Sequence, residues 1–111
     1  MSNIDIMKKI DLTNKTALIT GASRGLGRRF SCVLSNMGAN VVLAARDKDK
    51  LLETEEMIKN SNGECLSVNI DVNSEKSIDE AFTKAENKYG EISILINNAG
   101  IAVSKSSLKT S

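Results

Sequence analysis

Short apolar runs alternate along the chain with longer stretches in which apolar residues recur at helical spacing, from Thr16 onward. The runs predict four strands, at residues 16–20, 40–44, 66–70 and 92–96. The run Val41-Val42-Leu43 is typical of a strand that is covered on both faces. Because a helical stretch separates each pair of strands, the pattern predicts an α/β fold with a parallel sheet.

The first helical stretch follows a group of glycines and continues to Gly38, which offers a C-terminal stop. Its apolar residues recur at steps of three and four, which predicts an amphipathic helix with one apolar face. These residues are Leu26, Phe30, Val33, Leu34 and Met37.

Two further helices have recognisable ends. Asp47 can cap a helix that runs to about Ser61 and is ended by Asn62-Gly63, and Ser74 can cap another that ends at Gly90. The apolar stripe of the last helix comprises Ile78, Ala81, Phe82, Ala85 and Tyr89.

Right-handed crossovers place the strands in the order 3-2-1-4 in a doubly wound, Rossmann-type sheet that is truncated after the fourth strand. The winding reverses between strands one and four, so Gly25 and Asn98 are expected to face one crevice at their carboxyl ends. We divide the chain into an N-terminal extension (1–11), a dinucleotide-binding half-domain (12–103) and a disordered polar tail (104–111).

Length and composition exclude several classes of protein. The 111 residues, 41 % of them hydrophobic, suit a single soluble domain. A net charge of +1 without charged blocks gives no indication of nucleic acid or a membrane surface as partner. The apolar runs are too short to span a bilayer, and residues 1–10 do not resemble a secretory signal, which favours a cytoplasmic location.

Histidine is absent, which excludes a Ser-His-Asp hydrolase. Cys32 and Cys65 lack the close spacing of a zinc or dithiol motif, so no metal site is predicted, and we interpret both as buried thiols.

The candidate chemistry begins with Gly21, Gly25 and Gly27, at the junction of the first strand and the first helix. A dinucleotide diphosphate needs backbone N–H groups and a helix N-terminus, and a Cβ in the turn would hold its oxygens away. The spacing GxxxGxG differs from both GxGxxG and the triphosphatase motif, whose lysine is not matched by Arg28. A tight turn without a ligand is the structural alternative.

Two arginines favour NADP(H) over NAD(H). The second strand is followed by Arg46, where an NAD site usually offers a carboxylate to the ribose. Arg24, in the glycine turn, can approach the same 2′-phosphate from the other side. Alternatively, Arg46 is a solvated residue paired with Asp47 or Asp49, and Asp47 itself is better explained as a helix cap than as a ribose ligand.

Asp71-Val72 leaves the third strand close to the expected position of an adenine. The Asp71 carboxylate can accept from the exocyclic amine, and the backbone N–H of Val72 can donate to a ring nitrogen. The alternative, in which Asp71 forms the turn before Ser74 and does not contact an adenine, remains open.

The segment from Thr20 to Gly27, TGASRGLG, together with Asp71 and Asn97-Asn98-Ala99-Gly100, resembles the N-terminal half of the short-chain dehydrogenase/reductase family. The resemblance covers about residues 12–103 and is nearest to NADP-dependent reductases of the 3-oxoacyl-carrier-protein reductase type and to related bacterial alcohol or ketone reductases, which it does not separate. It implies a phosphate loop of Gly21, Ser23, Arg24, Gly25, Leu26 and Gly27. It also implies a 2′-phosphate contact by Arg46, adenine contacts by Asp71 and Val72, and a cofactor crevice lined by Asn98, Ala99 and Gly100.

The resemblance implies an NADP(H)-dependent oxidoreductase that acts on a small-molecule carbonyl or alcohol. The family's catalytic Ser and Tyr-x-x-x-Lys are expected beyond Ser111. Tyr89 does not replace them, because Ser93 stands where the lysine is required and Tyr89 belongs to an apolar stripe. Ser106-Ser107-Leu108-Lys109 matches Ser-x-x-Lys only by coincidence.

Two other functions remain open: a non-catalytic NADP(H)-binding or interaction module, and the remnant of an interrupted gene. The apolar fourth strand would have a bare edge, and from this we expect self-association or a homo-oligomer.

Overall fold

The computed structural model describes residues 11–98. They form four strands and three helices that alternate along the chain. The strands are β1 (Thr16–Thr20), β2 (Asn40–Ala45), β3 (Cys65–Asn69) and β4 (Ile94–Asn97). The helices are α1 (Gly25–Asn36), α2 (Lys48–Asn60) and α3 (Glu75–Tyr89).

All neighbouring strands are parallel, and their order in the sheet is β3-β2-β1-β4, which confirms the predicted topology. β4 begins two residues later than expected, because its ladder with β1 starts where Ile94 pairs with Ala17. β2 extends to Ala45 because that residue pairs with Asn69 of β3.

The sheet is covered on both faces. One apolar cluster lies between the sheet and helices α1 and α2, and includes Ile19, Leu51 and Ile58. A second lies between the sheet and α3, and includes Val68 and Phe82. β1 is completely buried because it has a strand on each side and helices above and below.

The caps predicted from the sequence are present at α2 and α3. The Asp47 carboxylate accepts from the backbone N–H of Lys50, and the Ser74 hydroxyl accepts from that of Ser77. The stripe on α3 faces the sheet as predicted, with Tyr89 half-buried at its end.

Helix α1 packs against the sheet mainly through small residues, and only part of its predicted apolar face is buried. Gly27, Ser31 and Ser35 are its buried residues, whereas Leu26 is 58 % exposed and Phe30 is 39 % exposed. Small side chains allow the helix axis to approach the strands closely, and the Ser31 hydroxyl is satisfied by the carbonyl of Gly27. Leu26 and Phe30 therefore form an exposed flank at the start of the helix, whereas Val33, Leu34 and Met37 are half-buried and Leu34 packs against the core.

Two adjacent leucines on α2 provide a test of this packing. Leu51 is 2 % exposed and Leu52 is 56 % exposed. Leu51→Ala should lower the free energy of unfolding by about 2–5 kcal/mol, because it leaves a cavity in the core. Leu52→Ala should change that free energy by less than about 0.5 kcal/mol. Urea unfolding followed by circular dichroism measures both, and equal losses would contradict the packing of Leu51 in the core.

Candidate functional site

A cavity of about 540 Å³ opens at the carboxyl ends of the strands, where the sequence predicts the crevice. It lies between the start of α1 and the segments that follow β2 and β3. Its lining residues are Gly21, Ser23, Arg24, Gly25, Leu26, Ala45, Arg46, Asp47, Ile70, Val72 and Asn98.

Most of the residues predicted for the site therefore share one cavity. Gly27 and Asp71 are near it but do not line it, and Ala99 and Gly100 lie outside the described residues. The sequence analysis did not assign Ala45 and Ile70 to the site. Their position at or just after the end of a strand is the signal that could have found them, because parallel strands end at one edge of the sheet.

Glycine is required at two positions of the turn for different reasons. Gly25 has a φ of +61°, a conformation that residues with a side chain rarely adopt. Gly27 lies so close to the carbonyl of Gly21 that a Cβ would overlap it, and the same Cβ would be 3.0 Å from the Asn98 side-chain nitrogen. The start of α1 thus packs directly against the end of β1.

The first turn of α1 is open to an anion. Arg24 occupies the N-cap position without a capping hydrogen bond from its side chain, and the turn contains no acidic residue. By contrast, α2 and α3 are capped by their own side chains, Asp47 and Ser74. The N–H groups of the first turn and the positive end of the helix dipole therefore face the cavity, as diphosphate binding requires.

Arg24 and Arg46 add positive charge at this cavity, which both of them line. Both are exposed, and within residues 11–98 neither guanidinium has an ion-pair partner, so the alternative pairing of Arg46 with Asp47 or Asp49 is not seen. The backbone at Arg46 is fixed, because its carbonyl accepts a hydrogen bond of 2.9 Å from the Asn69 side chain.

Asp71 forms the turn between β3 and α3. Its carboxylate accepts from the backbone N–H of Asn73 at 3.0 Å, and its own N–H donates to the Ser77 hydroxyl. This is the turn-forming role that the sequence left open. The adjacent Val72 lines the cavity, so the adenine contact predicted for this dipeptide stays a prediction.

A side-chain hydrogen bond ties β4 to β1 beside the cavity. The Thr20 hydroxyl donates to the Asn97 side-chain oxygen at 3.0 Å, and the two residues are register partners. The link that the family resemblance implies for this segment is therefore present, and it fixes the chain at the point where it reaches Asn98.

Tyr89 lies near the amino ends of the strands, whereas the cavity lies at their carboxyl ends. Its hydroxyl donates to Glu64, which precedes β3, at 2.9 Å. Burial, and then the Glu64 carboxylate, raise the pKa of Tyr89 well above its usual value. Tyr89 is therefore a packing residue and is neither placed nor poised to donate a proton to a ligand in the cavity.

The cysteines are free thiols outside the cavity. Cys65 is buried and Cys32 is half-buried against the same core, so the prediction of full burial is correct for Cys65 only. Burial raises the pKa of both thiols.

Among residues 11–98, no group of His, Cys, Asp and Glu side chains could hold a metal ion. Across the same residues, every helix is too short or too polar to traverse a lipid bilayer.

A doubly wound parallel sheet with an open helix start at its reversal point is the architecture of nucleotide-binding α/β proteins. Comparison with known families makes this assignment specific: residues 15–111 match the short chain dehydrogenase family. The chain belongs to that family.

Individual relatives agree with this assignment. The chain is 39 % identical over 90 residues to the uncharacterized oxidoreductase YxbG of Bacillus subtilis, covering 81 % of this chain and 33 % of the relative. It is 36 % identical over 88 residues to the (S)-acetoin-forming diacetyl reductase of Staphylococcus epidermidis, covering 79 % and 34 %. The chain thus spans about a third of the length of these relatives.

Among solved structures, a metagenomic short-chain oxidoreductase in complex with NADP superimposes with a TM-score of 0.76 at 37 % identity. The match covers 80 % of this chain and 40 % of that one.

The close packing at Gly27 can be tested by adding one methyl group. Alanine is the better helix former by about 1 kcal/mol, so Gly27→Ala would stabilise α1 if space allowed. Because the new Cβ overlaps the Gly21 carbonyl, we expect the free energy of unfolding to fall by about 1–3 kcal/mol instead. Arg29→Ala, at an exposed position of the same helix, is the control for urea unfolding. A Gly27→Ala variant more stable than the parent would disprove the contact.

Proposed function

We propose that this chain is the NADP(H)-binding part of an oxidoreductase that transfers hydride between the cofactor and a small carbonyl or alcohol. The observation that carries the proposal is the uncapped start of α1 in one cavity with two arginines that have no ion-pair partner within residues 11–98. Bound NADPH supplies the hydride, and the residues of this chain bind and orient it. The cavity volume lies within the range of small-molecule sites.

Three parts of the cofactor have complementary groups in the cavity. The first turn of α1 suits the diphosphate, and Arg24 and Arg46 suit the 2′-phosphate through paired, charge-assisted hydrogen bonds. Val72 and Ile70 offer an apolar wall to the adenine. Asp47 also lines the cavity, but its carboxylate is engaged as the cap of α2 and does not take the place of a ribose ligand.

The comparisons support the proposal in two ways. One structural neighbour is a complex with NADP, and several relatives are named as reductases or oxidoreductases. The proposed substrate class, a small carbonyl or alcohol, is inferred from those names and from the family. Among the residues 11–98 that line the cavity there is no tyrosine or lysine, so we propose that this part of the chain binds the cofactor and does not supply the family's Tyr-x-x-x-Lys.

A non-catalytic NADP(H)-binding or interaction module is the second candidate function. It is favoured by the outer edge of β4, which no other strand occupies within residues 11–98. The predicted cytoplasmic location stays a prediction.

Cofactor preference is the direct test of the first proposal. Titration of the chain with NADPH and NADH, followed by nicotinamide fluorescence, should show tighter binding of NADPH. Arg46→Ala should weaken NADPH binding by roughly tenfold, as expected for loss of hydrogen bonds between charged groups, and leave NADH binding unchanged. Arg29→Ala serves as the charge-matched control. Equal affinity for the two cofactors, unaffected by Arg46→Ala, would refute the 2′-phosphate contact.

We also propose that the chain self-associates by pairing β4 of two copies. Within residues 11–98, no strand occupies the outer edge of β4, and Leu95 is 41 % exposed. The strand, Ile-Leu-Ile-Asn, carries no charge, so a second copy can pair with it without placing like charges opposite each other.

Sedimentation velocity at several concentrations tests the pairing. We expect concentration-dependent dimers for the parent chain and monomers for Leu95→Lys, because the new charge would be buried at the edge. Leu52→Lys, at an exposed leucine on α2, should still dimerise. A monomeric parent chain at all concentrations would contradict the proposal.

A further inference from the structure

The back of the glycine turn is held by two residues to which the sequence analysis gave no role in the site, Arg28 on α1 and Thr54 on α2. Thr54 is completely buried, and its hydroxyl donates to the carbonyl of Ala22 at 3.0 Å. The same hydroxyl accepts from Nε of Arg28 at 2.8 Å. One guanidinium nitrogen of Arg28 also donates to the carbonyl of Ser23.

Arg28 is anchored to α2 by further contacts. It donates to the carbonyl of Lys50 at 3.2 Å and forms an ion pair with Glu53 at 3.1 Å. Its side chain is 23 % exposed, so this contact is partly shielded from solvent. The guanidinium and the Thr54 hydroxyl thus form one hydrogen-bonded brace between the turn and α2.

The brace determines which way two peptide units of the turn face. In a trans peptide, the C=O of one residue and the N–H of the next point in opposite directions, and no cis peptide is present in the described residues. Because the carbonyls of Ala22 and Ser23 point to the brace, the N–H groups of Ser23 and Arg24 point away from it. Both Ser23 and Arg24 line the cavity.

We propose that Arg28 and Thr54 are positioning residues for the diphosphate: they hold two carbonyls back so that the N–H groups of Ser23 and Arg24 are presented to the ligand. The inference rests on the proposed NADP(H) site and adds residues outside the cavity to it. Without the brace, the carbonyls are free to rotate toward the ligand, where their negative ends would repel its oxygens.

The test compares two ligands that differ in the diphosphate. NADP⁺ contains it, whereas adenosine 2′-monophosphate has only the phosphate that Arg24 and Arg46 are proposed to bind. Thr54→Val keeps the shape of the side chain but removes the hydroxyl. We expect it to weaken NADP⁺ binding by roughly tenfold in calorimetric titration, with no change for adenosine 2′-monophosphate. Thr54→Ser restores the hydroxyl and should restore NADP⁺ affinity.

Other outcomes would overturn the inference. A lower melting temperature with unchanged NADP⁺ affinity, measured well below that temperature, would show that Thr54 is purely structural. An equal loss for both ligands would show a general disturbance of the site. If the parent chain binds neither NADP⁺ nor adenosine 2′-monophosphate, the proposed NADP(H) site itself is wrong, and the role of the brace is wrong with it. In the first two outcomes the parent chain binds its ligand and only the role of the brace is wrong.

A second variant keeps the test decisive if Thr54→Val does not fold. Arg28→Lys retains the charge and loses the planar fork that reaches Thr54 and Ser23 together. It should show the same selective loss for NADP⁺. Arg29→Lys makes the same change one residue further along, at an exposed position, and should leave both affinities unchanged.

Discussion

The contact between the start of α1 and the carbonyl of Gly21 is the constraint on which the rest of the site depends. Only a residue without a Cβ fits at Gly27, and only then does the helix begin immediately beside the end of β1. That position brings the open N–H groups of the first turn to the edge where β2 and β3 also end. The arginines on either side of the cavity would have no common ligand if the helix began farther away.

The parts of the structure that the sequence predicts well are those encoded by local signals. The caps Asp47 and Ser74 act on backbone groups within one turn, and strand β1 is bounded by a polar segment and a glycine turn. Strand order followed from a general rule, since right-handed crossovers allow few arrangements. The glycine turn was recognisable because close approach of backbone atoms leaves few choices of residue.

The features that the sequence did not predict depend on contacts between separate elements. Periodicity showed that α1 has an apolar face, but not that the face against the sheet would be the one with Gly27, Ser31 and Ser35. The roles of Arg28 and Thr54 emerge only when α1 and α2 pack side by side, since 26 residues separate them. For Asp71 the sequence left two roles open, an adenine contact and a turn former, and the structure shows its carboxylate in the turn with Asn73.

The exposed flank of α1 and the cavity have one residue in common, Leu26. A polypeptide that packed on the exposed flank, Leu26 and Phe30, would contact the Leu26 side chain, which a ligand in the cavity would also contact. By thermodynamic reciprocity, if such a cover strengthened ligand binding, the ligand would strengthen attachment of the cover by the same factor. Leu26 would then be the residue through which occupancy of the cavity and coverage of the flank affect each other.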